Sequence, residues 1–163
     1  FMPPPRSMPT APIPSPETLP SAEPAVVALY AEPGHLIRRA HQLAVSTFHE
    51  THGRDVTPVQ YAILRALQEH PGIDQVTLAA AIALDTSTTA EIAVRLERDG
   101  WIVRELGARR QRRLELTAEG QRVLQDMLQS EAVLADRILQ TLEPAEREVL
   151  MALMHKLLGQ PPA

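Results

Sequence analysis

Leu78-Ala79-Ala80-Ala81-Ile82-Ala83-Leu84-Asp85-Thr86-Ser87-Thr88, followed by Ile92-Ala93-Val94-Arg95-Leu96-Glu97-Arg98-Asp99-Gly100-Trp101-Ile102, is the stretch that decides the fold. Asp74 is a good cap for a short helix from Gln75 to Ala83, and a second helix begins after Asp85. The second helix carries Ile92, Ala93 and Leu96 inward and stops at Gly100, a residue that tolerates a left-handed helix end. Trp101 to Glu105 then alternates as a strand does, Leu106 to Gln111 is a basic loop, and Arg112 to Leu116 supplies a second strand. Two short helices followed by a β-hairpin is the order of a winged helix-turn-helix, in which the second helix enters the DNA major groove and the hairpin lies on an adjacent groove or backbone.

Helical periodicity extends on both sides. Leu36, Ala40, Leu43 and Thr47 form one row and Ile37, Ala44 and Phe48 its neighbour, so a helix is expected from Gly34 to about Thr51, ended by Gly53. Thr57-Pro58 opens the next helix, which runs through Tyr61, Leu64 and Leu67 to the Pro71-Gly72 break. Beyond the hairpin, Thr117 caps a long helix expected to continue through Val123, Leu128 and Leu134 to Ile138, and Pro144 opens a last one carrying Val149, Leu150, Leu153 and Leu157. The expected class is mainly α with a small β-hairpin. Nine of the 15 prolines fall in the first 24 residues, so residues 1–24 are expected to be a disordered tail, with a Pro-rich partner ligand as the alternative, and residues 25–163 one domain.

Composition narrows the chemistry. There is no cysteine, which excludes disulfides and thiol catalysis and agrees with a cytoplasmic setting. No apolar run approaches the roughly 20 residues that cross a bilayer, and no secretory leader is evident. The formal net charge is −4, so any contact with nucleic acid needs a local basic patch. Arg104, Arg109, Arg110, Arg112 and Arg113, with only Glu105 against them, form one. Thr86, Ser87, Thr88 and Thr89 place four hydroxyls at a helix start, able to bond phosphates or base edges. The candidate DNA contacts are therefore Gln75, Thr77, Thr86, Ser87, Thr88, Thr89, Arg95, Arg109, Arg110 and Arg112. Taken singly, a hydroxyl run is often only a cap and an arginine run a solvated face; their order along the chain favours DNA.

The core stretch resembles the DNA-binding core of the MarR family, as do Leu114-Glu115-Leu116-Thr117-Ala118-Glu119-Gly120 and Val56-Thr57-Pro58-Val59-Gln60-Tyr61-Ala62. The resemblance covers roughly residues 34 to 158. It implies a homodimer on a palindromic operator, with the winged helix-turn-helix at about 56–116 and dimerisation helices at about 33–52 and 117–158. The family's wing usually carries Asp two residues before an Arg; here Arg110 has Ala108 at that place, which puts the usual wing-base ion pair in doubt. Pro33-Gly34-His35-Leu36-Ile37-Arg38-Arg39 and Pro71-Gly72-Ile73-Asp74-Gln75 resemble a subgroup that senses aromatic carboxylates, which implies Arg38 as the carboxylate's partner, with His35, His41 and Gln42 as further candidate ligand contacts. A dimer-interface ion pair is the alternative role for Arg38.

Other classes fare less well. His35, His41, His49 and His52 suggest a zinc-responsive variant, although neither cysteine nor a carboxylate cluster completes a metal set. Phosphate loops, nucleophile elbows and zinc-protease motifs are lacking, so neither an enzyme nor a cofactor is expected. A helical adaptor with a coiled-coil seam in the long helix would leave the wing arginines unexplained.

Overall fold

A computed structural model describes residues 28–107 and 111–159. The expected Pro-rich tail and the Ala108-Arg109-Arg110 segment of the wing lie outside the described residues. The chain divides into two compact units, one up to Ala40 and one from His41 onward. Helix α1 (Pro33–His52) carries that division. In the N-terminal unit Tyr30 meets His35 edge to face, and the Arg39 guanidinium sits 5.7 Å from the Tyr30 ring centre.

The second unit begins with the last three turns of α1, which bury Thr47 and Phe48. Gly53 follows at φ +78°, a backbone shape that ends the helix at little steric cost. Helix α2 (Pro58–Glu69) has a full capping box: Gln60 N–H donates to the Thr57 hydroxyl, and Thr57 N–H donates to the Gln60 side chain. Strand β1 (Ile73–Asp74), helix α3 (Gln75–Ala81) and helix α4 (Thr86–Arg98) come next, then strands β2 (Ile102–Leu106) and β3 (Arg112–Leu116). The sheet order is β1-β3-β2, all antiparallel, with Ile73 opposite Leu114 and Arg104 also opposite Leu114.

Ile63, Leu64 and Leu67 of α2, Leu78 of α3, Ala93 and Leu96 of α4, Ile102 of β2, Leu114 of β3 and Leu124 form the main core. These are the apolar positions that helical and alternating periods place on one side. The helix-turn-helix and the hairpin therefore share a single core. Helix α5 (Ala118–Leu128) is capped by Thr117, which accepts from Gly120 N–H and donates its own hydroxyl to the Gly100 carbonyl 2.6 Å away.

Three expectations need correction. The sheet has three strands: Gly72 N–H donates to the Leu114 carbonyl and so draws Ile73–Asp74 onto β3. The short helix ends at Ala81 instead of Ala83, because Ala83 adopts φ 55° within the turn. The long helix is broken at Gln129–Ser130, giving α5 and a separate α6 (Glu131–Ile138) before α7 (Pro144–Leu157). Arg137 on α6 bonds Glu50 and Thr51 near the end of α1, and Arg147 on α7 bonds Asp136 on α6. Among the described residues, no helix is long and apolar enough to cross a membrane.

Candidate nucleic-acid interface

Two aspartates build the helix-turn-helix. Asp74 accepts from Val76 and Thr77 N–H and from the Thr77 hydroxyl; Asp85 accepts from Thr88 N–H and, at 2.6 Å, from the Thr88 hydroxyl. The bonds from Thr77 and Thr88 hold both carboxyls below the usual aspartate range, so both stay ionised. Each helix thus starts on a fixed negative cap, which complements the helix dipole.

The candidate contacts separate into distinct groups. Thr86 and Ser87 are exposed at the first turn of α4, with Arg95 exposed further along the same helix. Thr88 is half-buried and its hydroxyl proton is committed to Asp85. Thr89 is fully buried and donates to the Asp85 carbonyl, so it belongs to the core and cannot touch DNA. Its inclusion among the DNA contacts is corrected: in a helix, four consecutive hydroxyls cannot all face outward. Thr77 is exposed and tied to Asp74. Gln75 is half-buried at the start of α3, and its buried Oε1 has no hydrogen-bond partner among the described residues. An open cleft of about 330 Å³ brings Gln75 together with Asp74, Val76, Gln111 and the exposed Arg112, so the start of α3 and the start of β3 share one surface. Arg109 and Arg110 lie outside the described residues, as does Ala108 of the expected wing-base position.

Two features escaped the sequence reading. Arg104, counted in the basic patch, is turned inward: its side chain is 13% exposed and its Nη2 lies 2.6 Å from Glu97 Oε2. Among the described residues, the exposed arginines of the hairpin are therefore Arg112 and Arg113. The other is Arg54, which with His41, Gln42, Val45, Ser46 and His49 lines an open cleft of about 440 Å³ in the second unit. Of the ligand candidates, His41 and Gln42 lie there, whereas His35 and Arg38 belong to the N-terminal unit. His35 is half-buried with its Nε2 unpartnered among the described residues, and Arg38 is exposed.

The histidines do not converge on a metal. His49 Nδ1 is 3.0 Å from the Gly53 carbonyl, and His52 packs on Phe48 and stacks on Tyr61 with ring centres 6.2 Å apart. Among the described residues, no group of three or more His, Cys, Asp or Glu is placed to hold an ion. Burial lowers the His52 pKa below the usual histidine value, which favours the neutral ring there.

The family model that matches this chain is that of the MarR family, over residues 56–107. The chain is similar to Transcriptional regulator HosA of Escherichia coli, 36% identical over 107 residues, which is 64% of this chain and 79% of HosA. Among solved structures it is similar to the PcaV transcriptional regulator of Streptomyces coelicolor in complex with its natural ligand. That likeness has a TM-score of 0.76 and 33% identity, covering 80% of this chain and 94% of PcaV. It is also similar to BpsR of Bordetella bronchiseptica, solved for the mechanism by which 6-hydroxynicotinic acid regulates its DNA binding. Here the TM-score is 0.72 and the identity 28%, covering 77% of this chain and 93% of BpsR.

Proposed function

The chain belongs to the MarR family of DNA-binding transcriptional regulators, and from that premise we propose that it is a cytoplasmic homodimeric repressor released from a palindromic operator by a small aromatic carboxylate. The observation that carries the DNA-binding half is the common surface of Gln75 on α3 and Arg112 on β3, to which the next helix, α4, adds the exposed hydroxyls of Thr86 and Ser87 in its first turn. Helix and wing then grip a groove and its neighbouring backbone together. Hydroxyls and guanidinium groups at those places suit phosphates and base edges, and two-fold symmetry of the protein would be mirrored in the operator.

The effector half is supported by the likeness to BpsR, whose DNA binding 6-hydroxynicotinic acid regulates. Its carboxylate needs a fork-shaped cation, and Arg38 is the candidate. An acid that frees DNA must bind the released conformation better than the DNA-bound one. Arg38→Ala is expected to keep the dimer and its DNA affinity while losing release by the acid, at a cost of about 3 kcal/mol in effector binding. Titration calorimetry against hydroxybenzoates and hydroxynicotinates, with a parallel gel shift, tests this. Equal responses from wild type and variant would remove Arg38 from the ligand site and leave it as an interface residue.

A further inference from the structure

Recognition helix and wing must present their contacts at one fixed spacing, yet only a tight turn at Asp99–Trp101 joins them covalently. A second connection runs through side chains. Both oxygens of Glu97, in the last turn of α4, are taken by the same strand residue. Oε2 accepts from Arg104 Nε at 2.8 Å and Nη2 at 2.6 Å, and Oε1 accepts from the Arg104 backbone N–H at 3.2 Å. The carboxylate thus holds β2 by its backbone and its side chain at once.

Three further facts give the pair a role beyond local stability. Arg104 is nearly buried, so its charge is not available to DNA. Hydrogen bonding from Arg104, with a further contribution from the charge of Arg112, holds Glu97 below the usual glutamate range. Arg112 itself opens β3 opposite Leu106, at the end of the hairpin that leads into the wing loop. The pair therefore stands between the helix that carries Thr86 and Ser87 and the strands that carry Arg112.

We propose that Glu97 and Arg104 are positioning residues for DNA binding, which lock the wing hairpin to the recognition helix so that Arg112 and the α4 N-terminus engage DNA as one rigid unit. This rests on the reading of α4 and β3 as the DNA surface. Two guanidinium N–H groups converging on one carboxylate oxygen, with the backbone N–H on the other, resist rotation as well as separation, which a single ammonium contact would not. With the pair broken, the core residues still hold β2 in the sheet, but the hairpin is free to tilt about its Ile102 end.

The test is a double-mutant cycle on a duplex selected from a random pool by the wild-type protein, read by fluorescence anisotropy over a salt series. Arg112→Ala in wild type is expected to weaken binding about tenfold and to reduce the salt slope by roughly two units, one for each copy in the dimer. Glu97→Gln alone is expected to weaken binding at least tenfold with an unchanged circular dichroism spectrum. In that background Arg112→Ala should cost less than threefold. Arg104→Lys, which keeps the charge without the fork, should fall between wild type and Glu97→Gln and serves as the second variant if the first does not fold. Equal cost of Arg112→Ala in all backgrounds would overturn the proposal and leave the pair a stabilising contact only. No effect of Arg112→Ala in wild type would overturn it by a different route, by removing the wing from the DNA surface.

Discussion

The Thr88 hydroxyl has one proton, and Asp85 holds it. What Thr88 can offer DNA is therefore a lone pair: it can accept from a base amino group but cannot donate to a phosphate oxygen. Ser87, one residue earlier and exposed, has no such constraint. Thr88→Val is expected to reduce discrimination of A over G, or of C over T, at one operator position by about 1 kcal/mol. Ser87→Ala should weaken all sequences alike. Binding to a set of singly substituted duplexes separates the two outcomes, and a uniform loss from Thr88→Val would place it on the backbone or nowhere. The same carboxylates contribute to the acid sensitivity of the fold. Asp74, Asp85 and Glu97 have pKa values lowered in the folded state, so their contribution is complete above the ordinary carboxylate range and drains as pH falls through the lowered values. His52, also lowered, acts earlier and with the same sign: stability begins to fall as pH drops below the usual histidine value, where the unfolded ring takes a proton that the folded one resists. Thermal melting from pH 8 to 3 should therefore show a loss in two stages, and His52→Gln should remove the first. A single stage in the wild type would contradict the His52 assignment. At this scale the sequence showed which residues carry hydroxyls and charges; that Thr89 turns inward was legible in its helical spacing with Ala93 and Leu96, whereas the capture of Arg104 by Glu97 was not, because it depends on how α4 packs on β2.

Helices α2, α3 and α4 end where their caps and glycines said they would, to within two residues, since capping aspartates, Thr57-Pro58 and Gly100 act locally. Strand β1 was not legible: two residues carry no period, and only the pairing of Gly72 with Leu114 makes Ile73–Asp74 a strand. Nor was the break between α5 and α6, because apolar spacing continues through Gln129–Ser130 with no proline or glycine to mark it. Two substitutions probe how these elements are joined. Gly120 sits against the Trp101 backbone so closely that a Cβ would collide with the carbonyl oxygen that also accepts from Thr117 N–H. Gly120→Ala must push α5 off the start of β2, with an expected loss of about 3 kcal/mol or more by denaturant unfolding. A change under about 1 kcal/mol would mean that α5 does not pack there. Ala83, at φ 55° in the turn between α3 and α4, pays for a left-handed backbone that glycine adopts freely. Ala83→Gly is expected to be neutral or stabilising by up to about 1 kcal/mol, where the same change inside α4, at Ala93, should destabilise by more than 1 kcal/mol. Equal destabilisation at both sites would contradict the turn.

On α6 and α7 no residue is buried, and Val133, Val149, Leu153 and Leu157, with Leu158 just beyond α7, are exposed. Apolar faces of that extent are costly in a monomer and match the proposed homodimer. Leu153→Asp is expected to convert dimer to monomer by sedimentation and to cut operator affinity by well over tenfold, whereas an unchanged dimer would move the interface elsewhere. The whole-molecule charge of −4 conceals what the fold arranges among the described residues, the exposed Arg112 sharing one surface with the start of α3 on an otherwise acidic protein. Net charge alone argues against nucleic acid; the local surface argues for it. Counterion release decides between them, because each phosphate neutralised contributes about −0.9 to the slope of log affinity against log salt. The most direct measurement is that slope on a selected duplex by fluorescence anisotropy, for the wild type and for Arg112→Ala. The expected slope is roughly −5 or steeper for the wild-type dimer, with each dimer losing about two units when both its copies of Arg112 are removed. A slope near zero, or one that Arg112→Ala leaves unchanged, would contradict it.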